Sequence, residues 1–168
     1  MRISTRGRYA LQMLLDLAEY RDRGFIALRD IAERQGISKK YLEHIVALLN
    51  HAHILRTNRG YQGGYMLAKT PEQYTIGQIL RITEGSLCPV SCLVDQHNQC
   101  ARSGSCITLP VWEGLARVVA EYLDGITLQT ILDTKPSAGC LDGGCGTPPV
   151  VGDEGSTTTK PAPAAEPV

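Results

Sequence analysis

The fold class is indicated most clearly by one stretch of the sequence, Ile31-Ala-Glu-Arg-Gln-Gly-Ile-Ser-Lys-Lys-Tyr-Leu-Glu-His-Ile-Val-Ala-Leu-Leu-Asn50. A short apolar pattern that starts at Leu28 ends at Gly36, the residue type best suited to a helix C-terminus. Ser38 then occupies an N-cap position, and apolar residues at three- and four-residue steps predict a further helix after it. Two helices joined by a tight turn are typical of the helix-turn-helix, although two short helices can equally form a core without binding DNA.

The flanking segments predict a winged version of this motif. Upstream, apolar residues from about Thr5 to Arg21 keep a single helical stripe. Downstream, two strand-like segments at 54–57 and 65–68 surround a turn rich in glycine, which predicts a hairpin. Another helix is predicted from Ile76 to about Gly85. The fold class is therefore mainly α, with a winged helix-turn-helix and a small two-stranded wing.

A long helix predicted from Pro110 to about Asp124 has an apolar stripe that so small a domain cannot cover, and a short helix follows it over 128–132. We expect the long helix to pair with a second copy about a two-fold axis. After 134 the composition becomes Gly, Pro, Thr and Ala, which predicts disorder. The predicted organisation is a DNA-binding domain (1–85), a cysteine-rich segment (86–109), a dimerisation helix with a short helix (110–133) and a disordered tail (134–168).

Charge is unevenly distributed along the chain. The 168 residues contain 17 basic and 17 acidic side chains, but residues 1–85 hold 13 basic and 8 acidic ones, so this half suits an anionic partner. No apolar run approaches the ~18 residues of a membrane span, and the N-terminus does not resemble a signal peptide. A cytoplasmic protein without membrane contact is predicted. No nucleotide-binding or hydrolase motif occurs, so an enzyme is not expected.

Duplex DNA is the predicted partner, because basic and polar residues gather at the N-terminus, at the start of the second motif helix and on the wing. Solvated lysines at a helix end are the simpler alternative. The expected contacts are phosphates for Arg6, Arg8, Lys39 and Lys40, the major groove for Ser38, Tyr41 and His44, and a minor groove for Arg59, with Arg2 adding positive charge.

Four of the six cysteines lie within 19 positions, at Cys88, Cys92, Cys100 and Cys106. Such a concentration of thiols predicts a metal ion or an iron-sulfur cluster, although unligated thiols are an alternative. Only the Cys88-x3-Cys92 interval matches the pairs of structural zinc sites. His97 is a further candidate ligand. Cys140 and Cys145 lie in the predicted tail, where a peripheral role is expected.

Several motifs together resemble the Rrf2 family of bacterial winged-helix regulators over residues 1–133. They are Met1-Arg-Ile-Ser-Thr-Arg-Gly-Arg-Tyr-Ala10, Ile31 to Ser38 followed by Tyr41-Leu-Glu43, Arg59-Gly-x-x-Gly-Gly-Tyr65 and Ile126-Thr-Leu128. The resemblance implies a homodimeric transcription factor with 110–124 as the dimer contact. In the cluster-binding, IscR- and NsrR-like branch it also implies an iron-sulfur centre on three cysteines, here Cys92, Cys100 and Cys106.

This chain departs from that branch at the fourth ligand. Leu109 stands where the IscR-like proteins have a histidine, and Arg8 stands where the NsrR-like proteins have an acidic ligand. The interval of seven residues between Cys92 and Cys100 is also longer than in the IscR-like pattern. Cys88 is the local candidate, and it would complete an all-cysteine set for a [2Fe-2S] cluster, which we favour, or a [4Fe-4S] cluster.

The leading prediction is a homodimeric DNA-binding regulator controlled by an iron-sulfur cluster, which senses iron-sulfur status, redox state or nitric oxide. Two alternatives stay open. In one, the cysteines of a cluster-free regulator form a zinc site or a thiol and persulfide switch. In the other, the winged helix holds protein partners rather than DNA, and salt-dependent binding to duplex DNA distinguishes the two cases.

Overall fold

A computed structural model describes residues 2–60, 63–94 and 100–134. All of them belong to one compact unit, which spans residues 1–135. The predicted tail from 135 onward, with Cys140 and Cys145, and the candidate ligand His97 lie outside the described residues. None of the helices in the described ranges has the length and apolar character needed to cross a membrane.

The described residues form six α-helices and one two-stranded antiparallel sheet, which confirms the predicted fold class. Short 3-10 turns connect several of these elements. The first strand begins one residue later than predicted and the second one residue earlier. The elements are α1 (Thr5–Glu19), α2 (Leu28–Gln35), α3 (Lys39–His51), β1 (Leu55–Asn58), β2 (Gly64–Leu67), α4 (Ile76–Glu84), α5 (Leu109–Asp124) and α6 (Leu128–Asp133).

The turn between α2 and α3 forms as its sequence predicts. Gly36 adopts φ 63°, which ends α2, and the backbone N–H of Ile37 donates to the carbonyl of Ala32 at 3.0 Å. The Ser38 hydroxyl then caps α3 by accepting from the backbone N–H of Tyr41 at 3.2 Å. The side chain of Ile37 is buried between the two helices, so the turn is fixed by both backbone bonding and packing.

A buried ion pair sets the position of α2 on α1. Asp16 is 2% exposed, and Arg34 donates to both of its carboxylate oxygens, from Nε at 2.9 Å and from Nη2 at 2.6 Å. The side-chain amide of Gln35 adds a third hydrogen bond at 3.0 Å. The guanidinium of Arg34 also stacks 4.5 Å from the ring centre of Tyr20. The helix-turn-helix is thus held to the rest of the domain by a satisfied polar network as well as by apolar packing.

The wing is joined to the segment before α2. Tyr65 of β2 forms an isolated bridge with Ile26, with reciprocal backbone hydrogen bonds of 2.8 and 3.0 Å. Gly64 makes this close approach possible, because a Cβ atom there would collide with the backbone of Ile26. The wing therefore has a defined orientation relative to the start of α2.

The C-terminal segment returns to the core after α5. Leu128 of α6 is fully buried, and its backbone N–H donates to the carbonyl of Tyr74 at 3.0 Å. The Tyr74 hydroxyl in turn donates to the carbonyl of Ile54 and accepts from the backbone N–H of Lys69. Helix α1 ends at Glu19 rather than near Arg21 as predicted, because the chain tightens there into a 3-10 turn.

Candidate nucleic-acid interface and cysteine segment

A cleft of about 780 Å³ lies between the start of α2, the exposed side of α3 and the wing. Three basic side chains from three different elements line it, Arg29 of α2, Lys39 of α3 and Arg59 of the wing. Glu43 lines it as well, and its carboxylate lies 3.9 Å from the Lys39 ammonium. This ion pair is exposed and therefore contributes little to stability. This cleft, which we call the wing cleft, therefore carries a net positive charge.

Helix α3 and its N-cap present four of the nine predicted DNA-contacting residues to solvent. Ser38, Lys39, Lys40 and His44 are all exposed. Tyr41 differs, because its ring is half-buried and packs edge-on against Tyr9 of α1, with ring centres 5.6 Å apart. The Tyr41 side chain therefore supports the position of α3 as well as bordering its exposed surface.

The predicted basic residues at the N-terminus, Arg2, Arg6 and Arg8, are also exposed. The start of α1 is held by the C-terminal end of α4, because Glu84 Oε1 accepts from the backbone N–H of Gly7 at 3.0 Å and from the Ser4 hydroxyl at 2.6 Å. A carboxylate at a helix N-terminus satisfies unpaired N–H groups and interacts favourably with the helix dipole. Glu84 is the last residue of α4, next to the start of the cysteine segment.

The sequence did not predict three residues of the wing cleft, Arg29, Asn50 and Thr57, or the cap that Glu84 of α4 forms on the start of α1. Arg29 had a signal, since it lies in the first turn of the helix that crosses the DNA backbone in helix-turn-helix proteins. The Thr57 hydroxyl donates to the side-chain carbonyl of Asn50 at 3.1 Å and ties the wing to α3. Glu84 had no such signal, because its partners lie 77 and 80 positions away.

The first two cysteines lie close to the C-terminal end of α4. The Cys88 thiol is half-buried and donates to the carbonyl of Leu93 at 2.9 Å. Cys88 borders a groove between α4 and α5 that also contains Arg81. Cys92 lies in the 3-10 turn Ser91–Leu93 and is half-buried.

The other two cysteines precede α5. Cys100 is exposed, and its carbonyl accepts from the backbone N–H of Ser103. Cys106 is half-buried, and hydrogen bonding from the Thr108 hydroxyl, 3.5 Å away, lowers the pKa of its thiol. Within residues 2–60, 63–94 and 100–134, no three cysteine, histidine or acidic side chains converge into a group that would hold a metal ion. The structure therefore places the four predicted ligands in one segment without bringing them together.

Helix α5 has two apolar faces with different surroundings. Ala116 and Ala120 face the groove toward α4, and Leu123 packs against the core. The opposite face is open, and none of the 16 residues of α5 is buried. We call this open surface the outer face of α5, and its large side chains are Val111, Trp112, Leu115, Val118 and Tyr122.

A helix-turn-helix with a hairpin wing and a basic cleft between them defines a winged-helix protein of the DNA-binding class. Comparison with known proteins identifies the family. Residues 3–134 match the Rrf2 family model, described as an iron-dependent transcriptional regulator. The chain therefore belongs to the Rrf2 family of transcriptional regulators, in agreement with the resemblance seen in its sequence motifs.

Individual relatives support the same assignment. The chain is 32% identical over 135 residues to the transcriptional regulator IscR of Pectobacterium atrosepticum, covering 80% of this chain and 81% of that protein. The solved structure of T. potens IscR is 36% identical with a TM-score of 0.64, and the match covers 83% of this chain and 94% of that one. The structure of CymR, the global cysteine regulator of B. subtilis, is 31% identical with a TM-score of 0.66, covering 81% and 99%.

Proposed function

We propose that this protein is a homodimeric transcriptional regulator whose DNA binding is controlled by an iron-sulfur cluster in the cysteine segment. The observation that carries the proposal is the placement of Cys88, Cys92, Cys100 and Cys106 in one segment between α4 and α5, in a family described as iron-dependent regulators. We assign Cys92, Cys100 and Cys106 as ligands and Cys88 as the fourth, with [2Fe-2S] favoured over [4Fe-4S]. The protein acts on DNA in the cytoplasm and is not an enzyme.

The chemistry of the four side chains fits such a cluster. Thiolates are its usual ligands, and a lowered pKa of the Cys106 thiol favours the thiolate form that binds iron. Cys92 lies in the 3-10 turn Ser91–Leu93, and Cys88 and Cys100 lie outside the helices and strands, so the backbone at these donors can adjust. When bound, the cluster supplies a link across the segment that depends on iron and on redox state.

Two contacts connect the end of α4, which the cysteine segment follows, to α1 and to α5. Glu84, at the end of α4, holds the start of α1, where Arg6 and Arg8 project. Arg81, one turn earlier, donates to both carboxylate oxygens of Asp124 at 2.7 Å and joins α4 to α5. A rearrangement of the segment that moves the end of α4 therefore changes the position of α1 and of the dimer helix together, which couples the two sites.

The assigned DNA contacts follow the exposed basic surface. Lys39 and Lys40, together with the N-terminal arginines, bind phosphates, and the exposed side of α3 enters the major groove. Arg59, at the wing, enters an adjacent minor groove. The full set is Arg2, Arg6, Arg8, Ser38, Lys39, Lys40, Tyr41, His44 and Arg59.

A second copy of the chain covers the outer face of α5. Four large apolar side chains along one face of a helix, with Trp112 at its border, exceed the scattered apolar residues of an ordinary surface. We expect Val118→Glu to yield a folded monomer by sedimentation equilibrium, whereas Arg117→Glu, its neighbour off this face, still dimerises. A Val118→Glu protein that remains a dimer would contradict the assignment.

The alternative function is a regulator that senses sulfur or oxidation through its thiols, or that holds zinc. Its support is the similarity to CymR, the hydrogen-bonded Cys88 thiol and the lowered pKa of Cys106, in a segment whose described cysteines do not converge. A thiol with a lowered pKa reacts more readily with oxidants because more of it is present as thiolate.

Metal analysis separates these functions. Protein purified without oxygen is assayed for visible absorption, iron, acid-labile sulfide and zinc, beside a Cys92→Ala variant. Visible bands with iron and sulfide in comparable amounts, lost in the variant, support the cluster. A colourless protein that contains zinc, or no metal after reconstitution, supports the alternative. A Cys88→Ala variant that keeps a full cluster would contradict the assignment of Cys88 as the fourth ligand.

A further inference from the structure

Arg29 is the basic residue of the wing cleft that lies on neither the recognition helix nor the wing. It is exposed in the first turn of α2, and it lines the cleft opposite Lys39 and Arg59. Arg29 and Arg59 form no hydrogen bond or ion pair with any residue in the described ranges of the chain. Their charges are therefore available to a ligand that enters the cleft.

The position of Arg29 relative to the wing is fixed by backbone contacts. The bridge between Ile26 and Tyr65 lies three residues before Arg29, and Gly64 allows the two backbones to touch. Leu28, next to Arg29, is buried in the core. The Asn50 to Thr57 hydrogen bond holds the other wall of the cleft. Because the backbone positions around the cleft are fixed, binding there costs less conformational entropy than ordering three independent chain segments.

The three elements around the cleft serve different parts of a duplex. The second helix of a helix-turn-helix lies in the major groove, and a wing arginine suits a narrow minor groove. A phosphate backbone separates these two grooves, so a strand of phosphates must cross the space between α3 and the wing. Arg29 lies at that crossing, with a planar guanidinium that matches the geometry of a phosphate.

We propose that Arg29 binds a backbone phosphate of the DNA strand that lies between the major groove read by α3 and the minor groove entered by Arg59. This inference rests on the proposed DNA binding and adds to it a contact from the first helix of the motif. The contact positions the protein on the duplex and carries no sequence information of its own.

The test compares Arg29→Ala with Arg29→Lys and with Lys69→Ala, using the full-length protein and a duplex selected from a random pool. Lys69 is an equally exposed cation, but it lines a separate cleft on the other side of the wing with Arg21 and Arg56. Binding is measured from 0.05 to 0.5 M salt, on the selected duplex and on variants with single base-pair changes. Circular dichroism checks that each variant is folded.

Loss of one phosphate contact lowers the slope of log affinity against log salt by about 0.9 per half-site. The same relation gives a loss of about eightfold per half-site at 0.1 M salt for Arg29→Ala. We expect this loss to be uniform across the duplexes, with Arg29→Lys retaining the wild-type slope and Lys69→Ala close to wild type.

Four outcomes would overturn the proposal. Equal losses in Arg29→Ala and Lys69→Ala would mean that only overall charge matters. A loss confined to particular base pairs would make Arg29 a base-reading residue. If Arg29→Ala keeps the wild-type salt slope, Arg29 does not contact a phosphate, although the proposed DNA binding still stands. If the wild-type protein shows no salt-dependent binding to DNA, both the Arg29 contact and the proposed DNA binding are wrong.

Discussion

Helix α3 and helix α5 are both amphipathic, but their apolar side chains have different surroundings. Leu42, Ile45 and Leu49 of α3 are fully buried against the other helices of the domain. In α5, Leu115 is 44% exposed and Val118 is 58% exposed. The apolar face of α3 is thus covered within the domain, whereas α5 keeps an exposed apolar face.

The ion pairs of the two regions differ in the same way. Asp16 lies in the interior with its side chain 1% exposed, and Arg34 covers it from the surface with its side chain 29% exposed. Arg81 and Asp124, which join α4 to α5, are 41% and 43% exposed. Solvent screens the second pair far more than the first. A contact that is weak and exposed is suited to a junction that rearranges, while the buried pair holds the helix-turn-helix in place.

The largest difference is expected for the core. Leu42→Ala removes a fully buried side chain and should lower the free energy of unfolding by about 2–5 kcal/mol. Leu115→Ala, on the outer face of α5, should change the unfolding of the monomer by less than about 0.5 kcal/mol and weaken dimerisation instead. Urea unfolding at a protein concentration below the dimer dissociation constant measures the free energy of unfolding of the monomer for both variants. Equal destabilisation by the two changes would show that α5 is part of the same core.

The next comparison is between the two ion pairs. Arg34→Ala leaves the buried Asp16 carboxylate without its partner, so we expect a loss of about 3 kcal/mol in urea unfolding. Arg81→Ala at neutral pH should cost less than about 1 kcal/mol, because its pair is exposed. If Arg34→Ala is as mild as Arg81→Ala, the buried network does not fix α2 on α1.

A smaller effect is expected at the junction of α1 and α4. Glu84→Ala removes the nearer of two acceptors for the backbone N–H of Gly7, the other being the Ser4 hydroxyl at 3.4 Å, and should cost about 1 kcal/mol, whereas Glu84→Gln keeps an acceptor and should cost less. Amide hydrogen exchange gives the local readout, and the Gly7 amide should exchange faster in Glu84→Ala. Unchanged protection of Gly7 would mean that the contact does not hold the start of α1.

The smallest effect depends on pH. Hydrogen bonding from Arg81 holds the pKa of Asp124 below its ordinary value of 3.8. Because the folded-state pKa is the lower one, the pair contributes stability above the unfolded pKa and loses it as pH falls through the folded value. The gap in unfolding free energy between wild type and Arg81→Ala should be constant from pH 7 to pH 5 and shrink below about pH 4. A gap that widens in acid would contradict the assignment.

Local signals explain why the helix-turn-helix was predictable. Gly36 and Ser38 determine the turn through their own backbone and side-chain chemistry, and the apolar spacing of α3 marks its buried face. The contact of Glu84 with Gly7 joins residues far apart in sequence, and its geometry depends on how α4 packs against α1. No sequence pattern within either helix contains that information, which also holds for the buried pair of Asp16 with Arg34.

In the cysteine segment, the sequence indicates the kind of ligand but not the geometry of the site. Residue type indicates a soft metal ligand, but the spacing of Cys92, Cys100 and Cys106 follows neither a zinc motif nor a regular element. Cys92 lies in a 3-10 turn, and Cys100 and Cys106 lie outside the helices and strands, so no helical or strand period fixes where their side chains point. The exposed outer face of α5, in contrast, was predictable from periodicity, since the apolar stripe of this helix is too large for so small a domain to cover.

In the proposed function, the cysteine segment controls the DNA-binding surface. The most direct measurement is the affinity of one anaerobic preparation for a selected duplex, before and after its iron is removed with a chelator, with Cys92→Ala carried through the same treatment. We expect iron removal to change the affinity of the wild type for the duplex by about 5–150-fold and to leave the affinity of Cys92→Ala unchanged. Equal wild-type affinity before and after iron removal, on every duplex tested, would contradict it.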